Sequence, residues 1–597
     1  WRMNWPMTIM CSMRRTCRRQ KRSGIANKHF DTNKTQNEWF KCDLETAKLA
    51  IKAVKEGKSA LDNSSISFDK NPIIFRPEQI EAIEKTLKQF KKGDRMLWNA
   101  KMRFGKTLTA LEVAKRSSFC RTIIITHRPV VSDGWYEDFS KIFYDTDKYE
   151  FGSKTHGKSI EELVKSGKNF VYFASMQDLR GSEQVGGNFD KNNIIFKINW
   201  DFVVVDEAHE GTKTKLGQSV LQAVIKPDDK EHVTKTLELS GTPFNLLVDY
   251  EDNEIYTWDY IMEQEAKQEW ALHHFGDSNP YEELPKMNIY TYHLEETFKN
   301  YMDLEDKAFN FREFFRTWTG DINKDYEKMP DGVSIGDFVH ENDIRSFLKL
   351  ICFKSEKTNY PFSTEEYRSY FRHTLWMLPG VKEAKAFSKL LKADPIFGQF
   401  EIINVAGDGD EEIDSNNALD AVRKAMGKNP DETYTITLSC GRLTTGVSVP
   451  EWTAVMMLAG SYSTQASQYL QTIFRVQTPA NINGKIKENC YVFDFAPDRT
   501  LKMVAESVQL SQRGMGSQSA EFRLQKFLNF CPVLSIAETG MKEYKVSYLL
   551  QELKKAYAER VVRNGFDDTR LYNDGGWKNR STGHPTTVKR TVSCPRY

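Results

Sequence analysis

The chain has 597 residues, a length that is enough for about four domains of about 150 residues. Of these residues 28% are charged and 40% hydrophobic, proportions that are typical of globular proteins. It contains no run of about 18 consecutive apolar residues, so no membrane span is predicted, and its nine cysteines form no C-x-x-C pair, which argues against a zinc ribbon or a disulfide framework. The net charge is +2, but the two ends are basic: residues 1–30 carry eight Lys or Arg and residues 575–597 carry five, with no acid in either. The charge of residues 31–574 is therefore −11. The global charge gives no argument for a nucleic-acid partner.

The two ends lack the periodicity of helices and strands. An arginine-rich start without acids is compatible with a transit peptide or with a basic arm that contacts phosphates, but we favour a disordered extension or a fragment boundary. We therefore expect a basic extension with a helical lead-in over residues 1–67 and a disordered tail over residues 575–597.

Between the ends, short apolar runs alternate with helical periods, a pattern that predicts parallel sheets flanked by helices. Two clusters of predicted strands define two α/β domains, over residues 68–250 and 371–505. The segment 251–370 is predicted to be a mainly helical insertion with one strand at Met287–Leu294, and residues 506–574 a helical appendage. The strands predicted in the two domains are Met96–Trp98, Thr122–Thr126, Phe170–Phe173, Asp201–Val205, Thr236–Leu239, His373–Leu378, Ile402–Val405, Tyr434–Leu438, Ala454–Leu458 and Tyr491–Phe495.

The segment AKMRFGKT, from Ala100 to Thr107, matches the phosphate-loop pattern, with alanine in place of the usual first glycine. A predicted strand precedes it and a predicted helix follows it, as the pattern requires. Backbone N–H groups at the start of such a helix bind phosphate, with Lys106 on the β- and γ-phosphates and the Thr107 hydroxyl on magnesium. We expect Ala100, Arg103 and Gly105 to contribute to the same ATP site.

A pair of carboxylates, Asp206 and Glu207, follows the predicted strand Asp201–Val205. Asp206 is suited to hold magnesium, and Glu207 to orient and deprotonate the attacking water. An acidic pair after a strand is often only a loop cap, but the phosphate loop upstream favours the catalytic interpretation.

The order of these motifs resembles that of the superfamily 2 DEAD/DEAH-box helicases and translocases, since DEAH at Asp206–His209 lies between GKT and SGTP at Ser240–Pro243. The M-R-F-G-K-T loop is similar to that of restriction-enzyme ATPase subunits of the type III kind and of phage helicases. The resemblance extends from about Phe75 to Asp494 and implies an α/β fold of two tandem RecA-like domains with ATP bound between them.

In the first domain, the resemblance assigns further roles. FRPEQIEAI resembles the adenine-reading motif, with Gln79 on the base edge and Phe75 near the ring. Ser240 and Thr242 resemble the motif that couples hydrolysis to domain movement, and His209 lies at the same junction. Polar residues after the strands resemble loops that hold a nucleic-acid backbone; they are Arg128, Ser175 and Gln177.

In the second domain, Gln471 and Arg475 align with the arginine-finger motif, whose arginine neutralises charge on the γ-phosphate. Thr478 stands where a second arginine is common. In the motif CGRLTTGVSVPEW, Gly446 matches the family pattern at the ATP site and Thr444 is a candidate nucleic-acid contact. Two residues of this motif replace acids of the family pattern, Thr445 and Ser448.

These assignments predict an ATP-dependent DNA helicase or DNA translocase that uses ATP and magnesium in the cytoplasm of a bacterial or phage-infected cell. The restriction-type loop favours DNA over RNA. The alternatives are an RNA helicase and a weakly hydrolysing, nucleotide-gated scaffold that binds nucleic acid. A nuclease, methyltransferase or replication function would come from a partner chain, because no such module is recognised in the sequence, and no membrane partner is expected.

Two further patterns remain open in the sequence. The segment 251–370 is rich in aromatic residues, which either stack bases or, as is more common at helical spacing, form a core. A nuclease pattern can be drawn on DYEKM at Asp325–Met329, but acid and lysine strings of this kind are frequent in a chain with 28% charged residues.

Overall fold

The computed structural model divides the chain into two compact units, Trp1–Ile74 and Phe75–Tyr597. In the first unit, strands β1 (Lys34–Gln36) and β2 (Trp39–Phe40) pair antiparallel. Most of the predicted N-terminal extension and the whole predicted tail lie outside the described residues. The described residues are 34–36, 39–40, 73–127, 131–209, 214–227, 231–243, 245–274, 277–292, 294, 298–301, 309–354, 360–407, 418–441, 443, 448–459, 466–482, 484–496, 500–501, 503–504, 520–537, 540–543 and 551.

Seven parallel strands form the sheet of the first domain. They are β3 Arg95–Ala100, β4 Arg121–Thr126, β5 Tyr149–Gly152, β6 Asn169–Ser175, β7 Phe202–Asp206, β8 Lys235–Ser240 and β9 Ile255–Trp258. Across the sheet they lie in the order β5-β6-β4-β7-β8-β3-β9. The strands predicted here are all confirmed, and β4 and β7 are buried along almost their whole length, as expected where helices cover both faces of a sheet.

One helix precedes the strands of this sheet, and others lie between them in the chain. They are α1 Pro77–Phe90, α2 Lys106–Arg116, α3 Ser132–Ile142, α4 Ile160–Ser166, α5 Met176–Arg180, α6 Asn193–Lys197 and α7 Lys215–Ile225. Helix α1 has proline at its first position, and α4 begins with a capping box between Ser159 and Glu162, which satisfies backbone N–H groups that the helix itself leaves without acceptors.

Eight strands form the second sheet. They are β10 Lys286–Tyr292, β11 His373–Met377, β12 Glu401–Asn404, β13 Thr435–Ser439, β14 Ala454–Met457, β17 Asn489–Asp494, β18 Val533–Ala537 and β19 Gly540–Glu543. Their order is β12-β13-β11-β14-β17-β10-β18-β19, and all neighbours are parallel except β18 and β19. The strands predicted in this domain are confirmed, and so is the α/β fold of two tandem RecA-like domains. A separate antiparallel pair is formed by β15 Asn481–Ile482 and β16 Lys485–Ile486.

The helices described after the first sheet lie between the strands of the second sheet and around them. They are α8 Tyr260–His273, α9 Phe311–Phe314, α10 Ile322–Asp325, α11 Glu341–Ile351, α12 Glu365–Tyr370, α13 Val381–Ala393, α14 Ala418–Met426, α15 Ala466–Ile473 and α16 Ala520–Phe530. Among the described residues, none of the helices has the length and apolar character that crossing a membrane requires.

Both sheets extend into segments that the sequence analysis sets apart from them. The segment 251–370 begins with β9, which pairs with β3, and contains β10, which pairs with β17 and β18. The segment 506–574 contains β18 and β19 after α16, where only helix is expected. Strands of four or five residues are too short to show a period of their own, so tertiary pairing decides them.

Aromatic side chains of the segment 251–370 form a core against the second sheet. Burying a side chain of this size contributes about 2 to 3 kcal/mol. These aromatic residues therefore belong to a core, and the base-stacking interpretation does not apply to them. The buried members are Tyr292, Phe298, Tyr301, Phe309, Phe311, Phe314, Phe315, Phe338, Phe347, Tyr360 and Phe362.

Asp325, the first residue of the nuclease-like string, belongs to the same region. Its carboxylate is 2% exposed and accepts hydrogen bonds from the backbone N–H groups of Thr319 and Gly320. The Thr319 hydroxyl donates to it as well. Asp325 therefore holds its own loop together, which gives the nuclease interpretation of this string no support.

Candidate active site

The phosphate loop lies between β3 and α2, as its sequence predicts. Gly105 is the N-cap of α2 and has a left-handed backbone, with φ of 85°. The left-handed conformation favours glycine at this position, and a Cβ atom here would lie 2.6 Å from Nε2 of Gln79, so that side chain would have to move. Because the N–H groups at the start of α2 have no acceptor within the helix, the loop fits a phosphate group.

Lys106, the first residue of α2, lies beside the loop that follows β8. Its Nζ donates a hydrogen bond to the carbonyl of Ala100, at 2.9 Å. A Cβ atom on Gly241 would lie 3.7 Å from the same Nζ. The phosphate-loop lysine and the SGTP motif, far apart in the chain, therefore meet at the carboxyl edge of the first sheet.

Asp206 is the last residue of β7 and lies at the same edge. Desolvation of its carboxyl group and the neighbouring charge of Glu207 raise the pKa of Asp206 to about 6, although Lys106 opposes the rise. Nε1 of Trp135 and the backbone N–H of Glu207 donate to its two oxygens, at 3.3 and 3.0 Å. A carboxyl group with a perturbed pKa beside a phosphate-binding lysine is typical of a functional site.

Glu207 adopts a left-handed backbone conformation, with φ of 50°. This conformation is uncommon for residues other than glycine and costs about 1 to 3 kcal/mol, which is typical of residues at functional sites. Its Oε2 lies 3.4 Å from Nδ1 of His209, and the same nitrogen lies 2.8 Å from Oγ of Ser240. His209 thus connects the catalytic candidate Glu207 with the coupling candidate Ser240.

The donor set fits a nucleotide–magnesium complex. The Thr107 hydroxyl and the Asp206 carboxylate are oxygen ligands, which magnesium prefers. In the described part of the chain, no group of three or more His, Cys, Asp or Glu side chains is arranged to hold a metal ion. Magnesium in phosphoryl-transfer sites takes its other ligands from nucleotide phosphates and water.

The second domain reaches this site through α15. Nε2 of Gln471 lies 2.5 Å from Nε2 of His209 and 3.2 Å from Oγ1 of Thr242. Arg475 follows the end of α15 and is 7% exposed, with its backbone carbonyl accepting a hydrogen bond from the Thr478 hydroxyl at 2.9 Å. The structure therefore brings the sequence-predicted Gln471 to the first domain's predicted junction.

The adenine-motif residue Gln79 contacts the phosphate loop in this structure. Its Nε2 donates to the carbonyl of Phe104, and its Oε1 accepts from the backbone N–H of Arg76, both at 2.8 Å. Phe75 stands half-buried just before α1. The amide of Gln79 therefore has part of its hydrogen-bonding capacity in use on the loop and part left for a base.

Two of the nucleic-acid candidates, Ser175 and Gln177, lie at the end of β6 and on α5. Ser175 ends β6, where its hydroxyl accepts from the backbone N–H of Asp178 at 3.2 Å and caps α5. Gln177 is exposed on α5. The remaining candidates for nucleic-acid or ATP contact in the loops lie outside the described residues; they are Arg128, Thr444 and Gly446.

Buried polar contacts join the phosphate loop to later parts of the chain, and no pattern in the sequence predicted them. Lys101 forms an ion pair with Glu263 of α8 and donates to Oε1 of Gln477 at 2.8 Å. Desolvation lowers the pKa of Lys101, and the charge of Glu263 opposes this. The presence of both Lys101 and Arg103 in the loop could have indicated these contacts. Two basic residues beside a phosphate site need hydrogen-bond acceptors when they are buried.

Comparison with known proteins shows what this chain is similar to. Residues 72–245 match the family described as Type III restriction enzyme, res subunit. The chain is 29% identical over 527 residues to the "Putative type II restriction enzyme and methyltransferase RM.MpnORF110P C-terminus" of Mycoplasma pneumoniae. The match covers 77% of this chain and 70% of that protein.

A solved structure, the "ATP-dependent Type ISP restriction-modification enzyme LlaBIII bound to DNA", matches with a TM-score of 0.44 and 14% identity. The match covers 85% of this chain but 34% of the larger enzyme, so the chain spans about a third of that enzyme's length. The resemblance that the motifs suggest is confirmed by the family match, in which residues 72–245 are similar to the res subunits of type III restriction enzymes.

Proposed function

We propose that the chain is an ATP-dependent DNA helicase or DNA translocase, with DEAH-type hydrolysis of ATP as its chemical step. One contact carries the proposal: Gln471 of the second domain reaches His209 and Thr242 of the first. His209 lies against Glu207, so a movement of the second sheet changes the surroundings of the carboxylate pair. Coupling of this kind is what a motor requires.

The chain's own residues have distinct roles in this proposal. Lys106 and the N–H groups at the start of α2 bind the phosphates, and Glu207 orients and deprotonates the attacking water. Arg475 of the second domain would serve as the finger that neutralises charge on the γ-phosphate. Thr107 and Asp206 would hold the magnesium ion, which when bound offsets the negative charge of the phosphates.

DNA as the substrate is supported by the kind of relatives that the chain has. One named relative is described as a putative type II restriction enzyme and methyltransferase. We propose that the chain works in the cytoplasm of a bacterial or phage-infected cell. A nuclease, methyltransferase or replication partner would direct such a motor to its task.

Steady-state hydrolysis of ATP with magnesium tests the proposal. We expect strong stimulation by single-stranded or duplex DNA. Glu207→Gln should lower the stimulated rate by about 10²-fold or more, the usual contribution of a general base, and Lys106→Ala should also lower it because it removes the cation that binds the phosphates. Arg116→Ala, which removes an exposed ion pair with Glu112 on α2, is the matched control and should keep the wild-type rate.

Other outcomes would select the alternatives. Stimulation by RNA and not by DNA would favour an RNA helicase. Tight ATP binding without turnover on any polymer would contradict the motor and favour the weakly hydrolysing, nucleotide-gated scaffold.

A further inference from the structure

Two side chains of the phosphate loop extend to the second domain. The Arg103 guanidinium donates through Nη2 to Oγ1 of Thr478 at 2.6 Å and to Oγ of Ser448 at 2.8 Å. Beside it, Lys101 donates to Gln477, the residue before Thr478. The loop that binds phosphate is therefore hydrogen-bonded to the segment that follows the arginine-finger helix.

Both hydroxyl partners of Arg103 occupy positions where this chain departs from the pattern that it resembles. Thr478 stands where a second arginine is common, and Ser448 stands where an acid is usual. Since the Arg103 guanidinium already lies against residue 478, the positive charge that this position lacks is supplied from the first domain. An arginine at 478 would bring two like charges together, at a cost that grows as the cleft loses water.

The loop holds Arg103 in a defined conformation. Its backbone is left-handed, with φ of 72°, which is uncommon for a residue with a side chain. Nη2 of Arg76 donates to the carbonyl of Arg103 at 3.0 Å and to that of Phe104 at 2.8 Å. The contact of the Arg103 side chain with the second domain therefore depends on the conformation of the same backbone that binds phosphate.

We propose that Arg103 is a positioning residue for ATP hydrolysis that takes the place of the arginine absent at position 478. From the phosphate loop it docks on Ser448 and Thr478, so that phosphate binding and closure of the two sheets favour each other. Such coupling is reciprocal by thermodynamic necessity. The inference rests on the proposed function and adds to it the residue that joins the two halves of the site.

Single variants test the contact first. Arg103→Ala and Thr478→Val, which removes little more than a hydroxyl, should each lower the DNA-stimulated kcat about tenfold, as expected for one lost hydrogen bond to a charged group. The double variant should be slowed by less than the product of the two single effects, because both substitutions remove the hydrogen bond between Arg103 and Thr478. Arg116→Ala should again retain the wild-type rate.

A swap of the arginine gives the decisive measurement. Thr478→Arg alone should lower kcat through repulsion from Arg103, whereas Arg103→Ala combined with Thr478→Arg should recover most of the lost rate. A residue with only a structural role would make the combined variant slower than either single variant, and this result, or an unchanged kcat in Arg103→Ala, would overturn the inference.

Hydrogen exchange separates this inference from the proposed function. A non-hydrolysable ATP analogue with magnesium should protect the backbone of α2 in both wild type and Arg103→Ala, but should protect α15 in wild type only. This readout needs no turnover, so it decides on Arg103 even if the wild-type chain hydrolyses no ATP. Equal protection of α15 in the two proteins would contradict the coupling.

Discussion

His373 at the start of β11 shows how burial determines the charge of a single residue. It is 1% exposed, with Nδ1 2.9 Å from the Thr435 hydroxyl and Nε2 2.8 Å from the carbonyl of Pro430. Because a carbonyl only accepts, Nε2 carries the proton and Nδ1 accepts from Thr435. Desolvation by burial lowers the pKa of His373 to about 4, against a smaller opposing effect of the Pro430 hydrogen bond. The folded protein therefore holds this imidazole neutral.

Stability should fall as the pH is lowered through the range between the two pKa values of His373. Above the unfolded value of about 6.5 neither state is charged, but below it the unfolded chain binds a proton that the folded protein rejects down to about pH 4. The free energy of unfolding should therefore decrease by about 1.4 kcal/mol per pH unit from this residue. His373→Gln keeps a donor and an acceptor without titrating, so its thermal midpoint should fall less between pH 6.5 and 5.

The measurement is the thermal midpoint of wild type and variant at several pH values. His273→Gln, at an exposed position of α8, controls for the substitution itself. The same pH slope in wild type and His373→Gln would show that burial of this imidazole does not contribute to the pH dependence.

Helices α8 and α15 make contacts between the two domains. Helix α8 starts after β9 with Asp259 as its cap, since Asp259 accepts from the backbone N–H of Met262 at 3.0 Å. Asp259 also pairs with Arg523 of α16, while Glu263 one turn later pairs with Lys101. One helix therefore joins the edge of the first sheet, the phosphate loop and the C-terminal helix. Helix α15 makes the corresponding contact from the other side through Gln471.

Gln471→Ala should uncouple hydrolysis from nucleic-acid binding. The substitution removes the contacts with His209 and Thr242 but none with the phosphate loop, so ATP affinity should stay within about threefold of the wild-type value. The stimulated rate should fall about tenfold, which is the effect of losing a polar contact of about 1.4 kcal/mol. Stimulated hydrolysis and ATP binding are measured separately. Gln468→Ala, at an exposed position of the same helix, should change neither; an equal loss of ATP affinity in Gln471→Ala would contradict the coupling role.

At the scale of the whole molecule, the second sheet is assembled from distant parts of the chain. Strand β10, which precedes every other strand of this sheet, lies between β17 and β18. On α16, Leu524 and Phe527 are buried in the core that also contains Met287 and Ile289 of β10. The C-terminal region is thus part of the second domain and covers one side of β10.

Removal of the chain after residue 505 should destabilise the second domain. The truncation deletes β18 and α16, which leaves β10 as an edge strand with exposed apolar residues, a state prone to aggregation. Phe527→Ala in the full chain should cost about 3 to 5 kcal/mol by leaving a cavity. Size-exclusion chromatography and thermal unfolding measure both effects, and a monodisperse truncated protein with the wild-type midpoint would refute the assignment.

Much of the candidate site could be predicted because its chemistry is local. Lys106 and Thr107 follow a strand and a loop within one short motif, and Asp206 with Glu207 ends a buried strand, so the shared carboxyl edge of a parallel sheet brings them together. The contacts of Arg103 with Thr478 and of Lys101 with Glu263 could not be predicted in this way. They join residues 375 and 162 positions apart, a separation for which sequence periodicity contains no information.

The sequence by itself determined the α/β class, the confirmed strands of both sheets and the chain positions of the phosphate loop and carboxylate pair, because hydrophobic period and short motifs depend on neighbouring residues. Only the tertiary structure decided that β9, β10 and β18 complete the two sheets and that the aromatic segment is core. It also decided that Arg103 meets the two positions where this chain departs from the family pattern. These features depend on which surfaces pack together, and packing free energy is a property of the folded chain as a whole.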